Sequence, residues 1–365
     1  MRPGLERIAV SGMAIQFDPQ GGRIDEMVIE PSPGAAALRP LHKAPWAATD
    51  EGLPDIVDLV ERRLAGDFFC APFGKQPGTP IHGWTANGRW LATGKEIRTD
   101  GCLTASYRLQ EEVQGAEVIK ELSLRPGHPF LYQRHRFRGG QGHLPVGHHA
   151  MIRVPGGARL SFSEKRFCVT PNDAPEPDPQ RGRSLLAYPQ RSGSLAQIKM
   201  ADGTIRDAAT YPFESGHEDT VVLAEADAAI GWSAALAKKD GFLFFALKDA
   251  RRLPETVLWM SNGGRSYAPW LGRHTCVLGI EETATGCHAS GRFESTGALS
   301  PQGLATGLVL DEARETDIRY GFGALPAPQG WSEVADIKAG HSDLTIVDAG
   351  GDSITLPFDC AFFGL

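Results

Sequence analysis

The sequence predicts an all-β protein, one large antiparallel sandwich with one short helix. Three observations point there. Apolar residues alternate with polar ones over many short windows, the period of a half-buried strand. The 43 glycines and 26 prolines fall largely between those windows, where turns are required. Only one segment carries apolar residues at clear helical spacing. A chain of 365 residues fits one large domain or two ordinary ones. Strand windows of one kind recur along it without a repeat of about 20–50 residues. A single domain over residues 1–365 is therefore expected.

In chain order, the strand windows begin with Ile8–Phe17, Arg23–Glu30, Ala105–Glu111 and Ala116–Leu124. They continue through Phe130–Phe137, Leu144–Val154, Ala158–Ser163 and Leu195–Met200. Gly231–Ala237 and Phe242–Leu247 flank Lys238-Lys239-Asp240-Gly241, a hairpin signal because Asp-Gly suits a tight turn. Thr256–Met260 and Thr275–Glu282 follow. The helix begins near Pro54, repeats through Ile56, Leu59, Val60 and Leu64, and stops at Gly66. Pro171–Arg183 holds four prolines and is expected as an exposed loop, since proline cannot donate to a sheet ladder.

Composition narrows the function. A hydrophobic fraction of 41% and a charged fraction of 22% are those of a soluble globular protein. The net charge of −7 disfavours nucleic acid and anionic membranes as partners. Met1–Val10 lacks the apolar stretch of a signal peptide, and no run is long enough to span a bilayer, so cytoplasmic residence is expected. Six separated cysteines show no zinc spacing and read as reduced, packed thiols. No metal and no organic cofactor are expected.

Chemistry-bearing residues cluster in three segments. In Pro80-Ile81-His82-Gly83-Trp84, a glycine beside a histidine allows a sharp bend and close ligand approach. His82 faces a ligand beside Trp84, or it sits in a surface loop beside a core tryptophan. In Gly147-His148-His149-Ala150, adjacent strand residues face opposite ways, so one histidine points to a site and the other away. The same geometry disfavours a shared metal. In Gly279-Ile280-Glu281-Glu282, an apolar strand ends in two carboxylates; a partly buried one makes a base near neutral pH, and a solvated strand end is the alternative. The loop Trp259–His274 carries two tryptophans, a tyrosine, Asn262 and two arginines, a plausible sugar platform.

With those residues in view, the chain resembles the galactose mutarotase-like (aldose 1-epimerase) superfamily. The likeness runs through Gly21-Gly22-Arg23-Ile24, Pro72-Phe73-Gly74, His82-Gly83, Trp90, His149 with Ala150-Met151-Ile152, and Ile280-Glu281, in order over roughly residues 8–290. Two departures stand out. Gly66-Asp67-Phe68-Phe69-Cys70 has no arginine where the family commonly has one, although Lys75 follows. No residue matches the family's mid-chain aspartate that grips sugar hydroxyls.

The resemblance implies a β-supersandwich and a cleft that interconverts the anomers of a monosaccharide, as a monomer or homodimer. Glu281 is expected as the base and His149 as the acid, on opposite sides of the bound ring. His82, Lys75, Trp84, Asn262, Arg273 and Trp270 are expected to bind the substrate. Two other readings stay open. One is a sugar-binding protein without catalysis. The other is a hydrolase or lyase pairing Glu281 with a second carboxylate such as Asp67.

Overall fold

Strand alternation sorts the chain into two large stacked antiparallel sheets. The computed structural model describes residues 4–32, 34–49, 51–295 and 297–364. Met1–Pro3, at the head of the stretch inspected for a signal peptide, lie outside them. One sheet has nine strands, ordered from Thr210–Tyr211 through Ala158–Phe162, Ile230–Ala237, Phe242–Asp249, Glu315–Pro326, Phe130–Gly139, Ala116–Leu124 and Leu103–Leu109 to Trp90–Ile97. The other has eight. Its centre is His217–Glu225, Glu255–Asn262 and Val277–Ala284, and it continues through Val146–His148 to Phe69–Cys70, with Ala150–Arg153 also paired to Val277–Ala284.

The main core lies between the two sheets. Phe242, Phe244 and Ala246 face inward toward Leu258, Met260, Leu278 and Ile280 of the eight-stranded sheet. Leu243, Phe245 and Leu247 face the other way. That outer face is covered by a C-terminal sheet of Val334–Ala339, Asp343–Asp348 and Ser353–Pro357, through Leu344, Ile346 and neighbouring Phe358. A three-stranded N-terminal sheet, Glu6–Val10, Met13–Asp18 and Arg23–Ile29, adds Ile15, Phe17 and Ile24 to the main core.

Several local expectations need correction. Ile8–Phe17 is two strands separated by a turn at Ser11 and Gly12. The helix at Pro54–Gly66 is confined to Leu59–Arg62, and Ile56 is 93% exposed. Val60 and Leu64 do bury, but one apolar turn cannot sustain a longer helix without packing. Three further short helices, Pro45–Ala48, Gly83–Asn87 and Cys287–Ser290, occupy connections among the described residues. Leu195–Met200 is a 3-10 turn over Leu195–Gln197 and a two-residue strand, Ile198–Lys199. The Asp-Gly hairpin and the strandless Pro171–Arg183 loop are both present. Among the described residues, no helix is long and apolar enough to cross a membrane.

Candidate functional site

Register decides which side chains meet. Val146–His148 and Ala150–Arg153 pair with Val277–Ala284 in one continuous register, Gly147 opposite Thr283 and Ala150 opposite Ile280. His149 therefore lies across from Glu281, and His148 across from Glu282. Partners opposite each other share a face. The outward pair, His149 and Glu281, forms part of a cleft of about 260 Å³. This is slightly below the usual range of small-molecule sites, roughly 300–1,000 Å³.

The inward pair is committed elsewhere. Glu282 is held between the sheets by Lys248, Ser233 and Thr256, and Lys248 also lies 2.9 Å from Glu225. His148 stacks on Tyr320 and lies 3.5 Å from Asp67. Of the two adjacent carboxylates, then, Glu281 is the one that reaches the cleft.

Glu281 is 2% exposed, and its Oε1 has no hydrogen-bond partner. His149 Nε2 stands 3.2 Å from that oxygen. Burial, followed by repulsion from Glu282, drives the Glu281 carboxyl far above the usual carboxylate range. Burial, followed by His82, drives His149 well below the usual imidazole range. Both shifts favour the uncharged forms of the pair. Gly279 makes room for it: a Cβ there would fall 2.6 Å from Glu281 Oε1 and 3.0 Å from Trp259 Cβ.

His82 reaches the cleft from the bend before the Gly83–Asn87 helix. Its backbone is left-handed, with φ 63°, a conformation uncommon outside glycine, and Gly83 follows at φ 72°. A Cβ on Gly83 would strike Ala71 O at 2.2 Å, so only glycine fits this bend. Gly74 N–H donates to His82 Nδ1 at 3.3 Å, which leaves the proton of the neutral ring on Nε2. Burial holds this imidazole down to about 4. The His82 and His149 rings meet edge-on at 5.2 Å.

Aromatic walls enclose the three. Phe68 stacks on His149 at 4.6 Å, and Trp259 meets it edge-on at 5.5 Å. Trp270 packs against Trp259 and carries the Arg265 guanidinium over its ring at 4.3 Å. Behind the tryptophans, His274 bridges His42 at 3.0 Å and Ser261 at 2.7 Å. Arg265 is committed to Glu218, with Nη2 donating to Oε1 at 2.7 Å and Nε 2.7 Å from Oε2. Among the described residues, no group of three or more His, Cys, Asp or Glu side chains could hold a metal ion.

Of the residues expected from sequence, Glu281, His149, His82, Lys75 and Trp270 line one cleft. Three lie elsewhere. Trp84 is on the helix after the His82 bend, 39% exposed, in a separate groove with Gln76 and Glu112. Asn262 points away from the cleft and bonds Glu214 O and Cys276 N. Arg273 forms a two-pronged surface pair with Glu51. Asp67 also faces the interior, where it accepts from Gln133 Nε2 at 2.7 Å, so it does not pair with Glu281. His149 and Glu281 are adjacent on one cleft face, rather than far enough apart to hold a ring between them.

Sequence reasoning did not single out Glu61 and Phe68, or choose Trp259 and Arg265 within their loop. Strand parity was the available signal for Trp259. It pairs with Gly279, two residues from Glu281 and on the same face.

The fold has parallels among solved structures. A structure from Synechocystis sp. PCC 6803 superimposes with TM-score 0.54 at 13% identity, covering 90% of this chain and 97% of that one. An Escherichia coli K12 protein, provisionally assigned as an aldose 1-epimerase, gives 0.56 at 12%, covering 88% and 99%. A galactose mutarotase related enzyme from Lactobacillus acidophilus gives 0.52 at 10%, covering 89% and 98%. The chain has the galactose mutarotase-like fold. No protein-family model and no curated protein matches the sequence. At these identities the mutarotase-like fold is shared, and function has to be argued from the cleft.

Proposed function

We propose that this one-domain chain is an aldose 1-epimerase, interconverting the α and β anomers of a monosaccharide. One observation carries the reading. A partnerless buried carboxylate oxygen and an imidazole nitrogen lie 3.2 Å apart in an aromatic cleft. In a cyclic sugar, the anomeric hydroxyl and the ring oxygen are attached to one carbon. Two adjacent catalytic atoms can therefore address both from the same side.

The anomeric O–H donates to Glu281 Oε1, which lacks any donor in the free protein. Its arrival favours the carboxylate, and the Glu281 carboxyl proton passes to His149. Glu281 then takes the anomeric proton, the bond between C1 and the ring oxygen breaks, and His149 protonates that oxygen. The electrons of the broken bond stay on the ring oxygen, and the aldehyde forms at C1. Rotation about C1–C2 and the reverse transfers close the other anomer. His82 Nε2–H donates to a sugar oxygen as charge develops, and Trp259 and Phe68 offer faces to the ring's C–H surface. No metal or organic cofactor takes part in this scheme.

The test is anomer exchange followed by NMR saturation transfer. Glu281→Gln and His149→Ala should each lose about 10²-fold or more with the fold intact. Full exchange in Glu281→Gln would remove the assigned base. Sugar binding by calorimetry with no exchange in the unaltered protein would favour a carbohydrate-binding role. Among the described residues the cleft's arginine, Arg265, is engaged by Glu218, and this motivates that alternative.

A further inference from the structure

The charged side chains of the cleft are Glu61, Lys75, Arg265 and Glu281. Arg265 is paired with Glu218 along its Nε–Nη2 edge, and its Nη1 meets Tyr267 Oη at 3.4 Å. Lys75 is exposed at the rim. Glu61 sits on the Leu59–Arg62 helix, half-buried, and its carboxylate makes no hydrogen bond or ion pair among the described residues. Its carboxyl is pushed upward chiefly by burial, as expected where no donor compensates for lost water. A phosphate or carboxylate ligand needs convergent cationic donors, usually arginine forks. This cleft instead offers the partnerless Glu61 carboxylate and the Glu281 carboxyl against one flexible lysine.

We propose that Glu61 is a specificity residue that makes the cleft accept an uncharged or amine-bearing monosaccharide and reject one carrying phosphate or carboxylate. This rests on the epimerase reading above. Glu61 accepts a hydroxyl or ammonium donor from the sugar, and it repels an anionic substituent brought to the same wall. The aromatic rings of the cleft suit a sugar face and an ammonium group alike.

The experiment compares anomer exchange of glucose and galactose, their 2-amino counterparts and their 6-phosphates at pH 7, in the unaltered protein and in Glu61→Gln. The expected order of kcat/KM is amino sugar at least equal to neutral sugar, with the 6-phosphate lower by about tenfold or more. Glu61→Gln should shrink that gap by about tenfold, mostly by lowering KM for the 6-phosphate. A gap unchanged in Glu61→Gln, or an unaltered protein that prefers the 6-phosphate, would overturn the inference and leave the epimerase reading standing. No exchange with any of the sugars would overturn the epimerase reading, and this inference with it.

Discussion

Replacing Gly279 by alanine tests whether the position of Glu281 matters as much as its identity. Gly279 lies in the middle of the strand Val277–Ala284, away from the left-handed region, so backbone strain is not the issue. The added Cβ would stand 2.6 Å from Glu281 Oε1 and 3.0 Å from Trp259 Cβ, where ordinary contacts begin at 3.4 Å. Trp259 Cβ is tied to its own strand and yields little. The carboxylate must therefore retreat by about 0.8 Å, or rotate away from His149. A displacement near 1 Å in a catalytic group lowers rate by about 10²-fold. Overpacking of this size costs about 1–3 kcal/mol, and for a large domain each kcal/mol lowers Tm by about 2–4 °C. Saturation-transfer exchange and a thermal melt on one sample read both quantities. Full exchange in a Gly279→Ala protein with a lowered Tm would refute the claim that the Glu281–His149 spacing governs turnover.

Two further outcomes follow from the buried charges. Lys248→Met leaves Glu225 and Glu282 without their shared cation between the sheets. The loss should be about 3–5 kcal/mol in urea unfolding, whereas Lys75→Met at the exposed rim should change stability little. His42 is buried beside His274, and burial lowers it from 6.5 to about 3. Its unfolded form then binds a proton that its folded form refuses, so the stabilisation is complete above pH 6.5 and declines as the pH falls toward 3. Each such histidine adds about 1.4 kcal/mol per pH unit to that slope. His149 and His274 shift in the same direction. Chemical denaturation at pH 7, 6 and 5 should show falling stability, and a flat profile would refute the neutral burial of these rings.

Much of the architecture was legible because alternation over a pleated strand survives without knowledge of its partner. Phe130–Gly139 and Ala116–Leu124 lie close to their expected windows for that reason. The same parity separated His148 from His149, but it could not say which one faced the cleft. That depends on the register with Val277–Ala284, a pairing across more than a hundred residues. The strands Glu315–Pro326 and His217–Glu225 were harder to see. Both are largely buried, and in the second His217, Glu218, Asp219 and Glu225 disguise core positions as polar ones. In the Trp259–His274 loop, composition suggested a platform. Asn262 and Arg273 were chosen over Arg265, because their local partners Cys276 and Glu51 were not visible in the sequence.

The two doublets, His148-His149 and Glu281-Glu282, would tie the proposed catalysis to folding through a shared phase. One member of each doublet would serve chemistry in the cleft, while Glu282 closes a charge network in the interior. Sliding either strand by one position would expel a carboxylate from the lysine that neutralises it and bring the wrong imidazole to the surface. The protein cannot misalign these strands and merely lose activity, because the same slip would uncover an uncompensated charge at its centre.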